Sequence, residues 1–240
     1  MIERLFDRLI HLLTELKYFY LRKRMQIRRN GSSEAPGQYL DVYRRPDFVL
    51  TNKSWGKGTA WTEIQYLLVN CSGRVLDIGC GACTAILMLS KFNSCKLYGC
   101  DISPSMMGEA SRAGVSPSRL TICNAGKMPY RDDSFDYSYS IGSLEHFTEE
   151  GIMNVLRESH RITKNMSFHH VPVSRTGQDE GWIILTQAYY NNSIDWWLKK
   201  YEAVYPLVYV LDSRWEDAIS IGKWFVCVKK RPLSSRYASL

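Results

Sequence analysis

No stretch of the 240-residue chain approaches the roughly 18 consecutive apolar residues that cross a bilayer, so no transmembrane helix is expected. The N-terminus lacks the unbroken apolar core of a secretory signal, because Glu3, Asp7 and Arg8 interrupt it. The same acids argue against an organellar transit peptide. Internal repeats and low-complexity tracts are absent. The seven cysteines are an odd number, and Cys80, Cys100, Cys123 and Cys227 fall in apolar runs. They show no Cys/His spacing of a metal site, so neither a disulfide framework nor a metal is expected. The simple expectation is free thiols in the cytoplasm, with Cys80 and Cys83 acting as small packing residues.

What is present is ordinary for a globular protein with a real core: 45% hydrophobic and 23% charged residues. Disorder over most of the chain is thereby excluded. The formal net charge of +7 is concentrated, since residues 1–30 hold eight Lys/Arg against three acids. The rest is nearly balanced, so no general polyanion-binding surface is implied and no nucleic acid is expected as partner.

Ile2, Leu5, Phe6, Leu9, Leu12, Leu13, Leu16 and Phe19 recur at helical spacing, which predicts an amphipathic helix over 2–21. A basic run and a breaker-rich linker, 30–37, follow. This segment, 1–50, reads as a unit apart. It either caps a substrate cleft or touches a membrane surface through residues 2–29, Arg22, Lys23 and Arg24 included. The main domain spans 51–230, and 231–240 reads as a flexible tail. A helix is expected around Thr59–Leu68. Apolar runs at 73–78, 96–100, 119–123, 135–141 and 167–172 read as strands, separated by helices at 83–92, 104–112 and 149–162. Such alternation predicts an α/β fold, a mostly parallel sheet with helices on both faces. Beyond it come an Ile/Leu/Tyr-rich segment at 182–190, a helix at 193–203 and strands at 206–211 and 223–229, the latter two joined by Ser213–Gly222.

The informative stretch is Arg74-Val75-Leu76-Asp77-Ile78-Gly79-Cys80-Gly81-Ala82-Cys83-Thr84, a strand that runs into two glycines and then a helix. Glycines permit a tight turn and a close backbone approach to a ligand. A helix start offers free N–H donors. Gly-x-Gly alone is weak evidence, but three further features sharpen it. Asp77 sits two residues before the first glycine, where a carboxylate can meet a cation. Asp101 ends a second strand 20 residues past Gly81, a spacing suited to ribose hydroxyls. Asn124 ends a third strand, and its amide oxygen can accept from an adenine amino group.

These residues, with Met128-Pro129-Tyr130-Arg131-Asp132-Asp133-Ser134-Phe135-Asp136, resemble the class I S-adenosylmethionine (SAM)-dependent methyltransferase family, in its small-molecule, type 11-like branch. Specific motifs carry the resemblance over about 73–165. It implies a Rossmann-like seven-stranded sheet of order 3-2-1-4-5-7-6 with the last strand antiparallel. It also implies SAM as cofactor. Asp77, Gly79, Cys80 and Gly81 would line its methionine part and Asp101 would bind both ribose hydroxyls. Ile102 and Met106 would pack on adenine, Asn124 and Ala125 would bond its edge, and Ile141 and Gly142 would border the sulfonium. The family usually has Asp where Asn124 stands, and Asn keeps the acceptor while losing the charge.

On the acceptor side, His146 is the best candidate for a general base, since imidazole titrates near neutrality. Glu145 is its neighbour and second candidate. Both also have a structural reading, as a capping or loop-organising pair. His169 and His170 are adjacent on a strand, so at most one can face the acceptor. Aromatics Tyr189, Tyr190, Trp196, Trp197, Tyr201 and Tyr205 could stack on a sugar or another ring, or could form a helix core stripe. The expected function is methyl transfer to a small-molecule or glycan-like acceptor, at oxygen. Two alternatives stay open: an NAD-dependent oxidoreductase or epimerase, and a catalytically silent SAM-binding accessory protein.

Overall fold

A computed structural model describes residues 56, 58–91, 95–184 and 188–230. The expected helix over 2–21, the basic run, the linker and the 231–240 tail lie outside the described residues. The domain boundary at 50–51 falls there too.

The strands are β1 (Arg74–Ile78), β2 (Lys96–Asp101), β3 (Leu120–Ile122), β4 (Phe135–Ile141), β5 (Thr163–Ser174), β6 (Trp182–Ile184), β7 (Ala188–Tyr190), β8 (Leu207–Glu216) and β9 (Ser220–Val228). The helices are α1 (Ala60–Leu67), α2 (Thr84–Leu89), α3 (Pro104–Arg112), α4 (Glu149–Ile162) and α5 (Ile194–Glu202). Seven strands form one sheet in the order β3-β2-β1-β4-β5-β9-β8, while β6 and β7 form a separate hairpin. The order expected from the sequence is therefore present. β1, β2, β3, β4 and β5 run parallel, and β9 runs antiparallel to both neighbours.

Alternation along each strand feeds two cores. Val75 faces one, with Trp61, Ile64 and Leu68 around α1, Ile86 and Leu89 of α2, and Met107 of α3. Leu76 and Ile78 face the other, with Ile152, Val155 and Leu156 of α4 and Trp197 and Tyr201 of α5. Helix starts are written in the sequence. Ser103, Thr148 and Ser193 each accept a hydrogen bond from the backbone N–H three residues on, which satisfies an otherwise orphaned donor. Pro104 opens α3, where its missing N–H costs nothing.

Three boundaries differ from expectation. β5 starts directly after α4 rather than at 167, because Thr163 turns its hydroxyl inward to Ser138 (2.8 Å) and so joins the core despite its polarity. The 213–222 connection is mostly strand. Only a tight turn remains, in which the Asp217 carboxylate accepts the Ile219 and Ser220 N–H groups (2.9 and 2.7 Å). The 182–190 segment folds as the β6–β7 hairpin.

The hairpin of β8 and β9 is fastened to α1 by Glu63. Its carboxylate accepts from the Ser213 hydroxyl (2.7 Å), the Arg214 N–H (2.6 Å) and the Trp224 indole (2.8 Å). Burial raises its pKa, but these donors outweigh burial and hold it below the ordinary carboxylate range.

Candidate functional site

The carboxyl ends of β1, β2, β3, β4 and β5 open on one edge of the sheet, where ligands of open α/β folds bind. The β1–α2 loop is built on Gly79 and its neighbours. Gly79 has φ +71, and a Cβ there would come within 2.7 Å of the Ser143 hydroxyl. The Gly79 and Cys80 N–H groups both donate to the Cys100 carbonyl (2.9 and 3.0 Å), which folds the loop over the end of β2. Ser143 donates to the Gly79 carbonyl (3.2 Å), which ties in the loop after β4.

Asp101 is the hub. Its two carboxylate oxygens accept the Gly81 N–H (2.9 Å) and the Ser103 N–H (2.8 Å), so one side chain orders the glycine loop and the start of α3. Burial pushes its pKa up, against the pull of those N–H groups. Asp77 is 4% exposed. Burial pushes its carboxyl up to about 8; the Tyr139 hydroxyl opposes this and the charge of Asp101 adds to it. Two carboxyls thus sit within electrostatic reach of each other. Asp77, read in the sequence as a partner for a cation, is one here in need of a cation.

Asn124 follows β3, and the Cys123 N–H donates to the Asp101 carbonyl (3.0 Å), which draws this tip beside the other two. The Asn124 side-chain oxygen accepts from the Gly126 N–H (2.8 Å). That acceptor is already partly used in a local turn. Ala125 is buried, and Ile102 is 41% exposed beside Asp101. Met106 is completely buried beneath the start of α3. Ile141 ends β4, and Gly142 (φ +64) donates to the His170 carbonyl (3.0 Å).

Glu145 and His146 lie on a single 3-10 turn, Leu144–His146, packed against β7, α4 and β5. Glu145 is buried, and among the described residues its Oε2 has no hydrogen-bond partner. Burial alone drives its pKa to about 8, with only its own backbone N–H opposing. His146 Nε2 stands 3.9 Å from Glu145 Oε1, and its ring meets Tyr189 edge-on at 6.4 Å. The same burial favours the protonated form of Glu145.

The two strand histidines face opposite cores and both are completely buried. His169 bonds Ser140 through Nδ1 (2.8 Å) and Ser159 through Nε2 (3.4 Å), and Tyr201 stacks on it. It belongs to a hydroxyl network of Ser138, Ser159, Thr163, Ser167 and Tyr205 that the sequence did not announce. His170 packs edge-on between Trp215 and Trp224 and bonds Ser213 (3.1 Å). Burial lowers both imidazoles, to about 3 and about 4, so both are neutral packing groups. Of the aromatics, Trp197, Tyr201 and Tyr205 are core. Trp182, Tyr190 and Trp196 form a half-exposed chain of rings 4.7 and 4.9 Å apart beside the turn. No cluster of three or more His, Cys, Asp or Glu converges as a metal site among the described residues, and no described helix is long and apolar enough to cross a membrane.

Comparison with known proteins adds to this geometry. A family model described as a methyltransferase domain matches residues 75–166. An O-methyltransferase of Aspergillus sclerotiorum is 29% identical over 111 residues, covering 42% of this chain and 42% of that protein. The chain spans half or less of the length of the curated relatives it matches. Among solved structures, a 1,6-didemethyltoxoflavin N1-methyltransferase of Burkholderia thailandensis, bound to 1,6-didemethyltoxoflavin and S-adenosylhomocysteine, superposes with TM-score 0.58 at 17% identity, over 84% of this chain and 92% of that one. The [4+2]-cyclase SpnF superposes with TM-score 0.60 at 20% identity, over 78% of this chain and 77% of that one. These similarities at low identity establish a shared fold.

Proposed function

We propose, from the premise that this chain carries a class I SAM-dependent methyltransferase domain, that it transfers a methyl group from SAM to a small-molecule acceptor, at oxygen. The observation that carries the reading is the convergence of Asp77, Asp101 and Asn124 at three neighbouring strand tips, with a buried carboxyl at Asp77 that an arriving cation would return to its charged form. SAM supplies a sulfonium-activated methyl together with an α-amino cation. Asp77 would hold the cationic part and Asp101 the ribose hydroxyls, with the second lone pair of each oxygen. Asn124 would take the adenine edge, and Ile102 would cover its face. Gly79, Cys80, Gly81, Ile141 and Gly142 would line the path between.

What the chain must then do is position an acceptor, exclude water and take up one proton. His146 is the proposed base, at the edge of the turn that follows β4. Glu145, protonated in its buried setting, is proposed to donate to the acceptor rather than to deprotonate it. Similarity to an O-methyltransferase supports the choice of oxygen. The nicotinamide alternative fits less well, because β9 runs antiparallel between β5 and β8 where a dinucleotide fold has a parallel sixth strand.

Titration calorimetry with S-adenosylhomocysteine and with NAD separates the readings. Tight binding of the first and none of the second is expected, and the reverse ends the proposal. Incubation with methyl-labelled SAM and fractionated extract then tests turnover. Cofactor binding without label in any fraction would favour a silent accessory protein.

A further inference from the structure

Cys80-Gly81-Ala82-Cys83 places two thiols at the spacing of a dithiol pair inside the glycine loop. The Cys-x-x-Cys spacing is legible in the sequence, although each cysteine alone reads as a packing residue. Three observations set the pair apart. First, both sulfurs stand over the same point of β2: a Cβ on Gly99 would lie 2.7 Å from Cys80 Sγ and 3.1 Å from Cys83 Sγ. The Cys83 N–H donates to the Cys80 carbonyl (2.8 Å), so a turn already brings the two residues together. Second, Cys83 has φ +58, a left-handed conformation that is strained for an L-residue and free for a glycine. What Cys83 contributes in return is a sulfur. Third, the two differ in access: Cys80 is half-buried and Cys83 fully buried.

We propose that Cys80 and Cys83 form a reversible disulfide under peroxide, and that closing it disables the cofactor loop. The consequence for the loop rests on the cofactor reading above. Cys80, the accessible member, attacks hydrogen peroxide: an S–O bond forms, the O–O bond breaks, and one water leaves. Cys83 sulfur then displaces the oxygen from Cys80, forming the S–S bond and releasing the second water. Two thiols are oxidised by two electrons, one peroxide is reduced, and the two thiol protons leave in the waters. The ring so closed contains Gly81. Drawing the sulfurs to the roughly 2 Å of a disulfide pulls the Gly81 N–H away from Asp101 and distorts the start of α2. By linkage, a bound cofactor opposes the closure by the same factor by which the closure weakens the cofactor. Burial, the neighbouring thiol and the carboxyls of Asp77 and Asp101 all keep the Cys80 thiol protonated.

The test uses the full chain, reduced and then treated with hydrogen peroxide. Peptide mapping after alkylation is expected to show a peptide lighter by two hydrogens that spans Cys80 and Cys83. Affinity for S-adenosylhomocysteine should fall at least tenfold and return with dithiothreitol. Cys83→Gly relieves the backbone strain and removes one sulfur, so it should fold, bind and lose the peroxide response. Absence of the internal disulfide in the oxidised protein overturns the proposal, and so does an affinity loss that persists in Cys83→Gly. Failure of the reduced wild-type protein to bind would instead overturn the cofactor reading, while the mapping still decides the pair.

Discussion

Replacing Asp101 with alanine should nearly abolish cofactor binding while leaving the fold intact. The carboxylate accepts the Gly81 and Ser103 N–H groups at 2.9 and 2.8 Å, and on the proposed reading it also accepts both ribose hydroxyls. A hydrogen bond to a charged acceptor contributes about 1.5–3 kcal/mol net. Two lost ribose hydroxyl contacts then amount to about 3–6 kcal/mol, or about 10²- to 10⁴-fold in affinity. Stability should change less, because alanine also removes a carboxyl whose charge is opposed by burial. Asp101→Asn keeps one acceptor and turns an amide donor against the other N–H, so it should bind nearer to alanine than to wild type. Calorimetry with S-adenosylhomocysteine measures the affinities, and near-ultraviolet circular dichroism checks the fold. An alanine variant that folds normally and binds within threefold of wild type refutes the assignment.

His146→Ala should lower turnover by about 10²- to 10⁴-fold and leave S-adenosylhomocysteine affinity unchanged; full activity removes His146 as the base. Glu145 faces His146, Tyr189 and Tyr201, and its carboxyl titrates near 8 folded against 4.5 in the open chain. Between those values the folded state keeps a proton that the unfolded chain has lost, so this group makes stability fall as pH rises through the window and level off above it. Glu145→Gln should therefore melt with wild type near pH 4.5 and increasingly above it toward pH 8; a gap independent of pH counts against the burial argument. Gly222→Ala places a Cβ 2.5 Å from His170 Nε2 and 2.9 Å from Ser213 Cβ. Overpacking of that kind costs about 1–3 kcal/mol, a melting point several degrees lower, and an unchanged one would show that the ring moves aside freely.

The sheet was legible because its signals are local and repeated. Each strand tip carries its own punctuation, Gly79 after β1 and Asp101 at the end of β2, and the helix caps Ser103, Thr148 and Ser193 are visible as residue types. The hydroxyl network around His169 was not, because serines on β4 and β5 read as breaks in an apolar run until the third dimension pairs them. Glu145 could be named from sequence, but its protonation could not, since that follows from burial without a cation. Asn124 was read as a ligand acceptor, yet part of its capacity goes to Gly126 two residues on, a competition that only geometry settles. The aromatics divided as strand and helix periodicity requires: Trp197 went inward and Trp196 outward.

Glu63 reaches across the chain to residues 213, 214 and 224 for its donors. During synthesis on the ribosome, then, the apolar face of α1 meets β1 and α2 early, while the donors for its Glu63 carboxylate emerge long afterwards. Its carboxylate must wait in water until β8 and β9 have left the exit tunnel. A nascent chain halted before residue 213 leaves the Glu63 carboxylate without these three donors, and the β8–β9 hairpin latches α1 only once it has emerged.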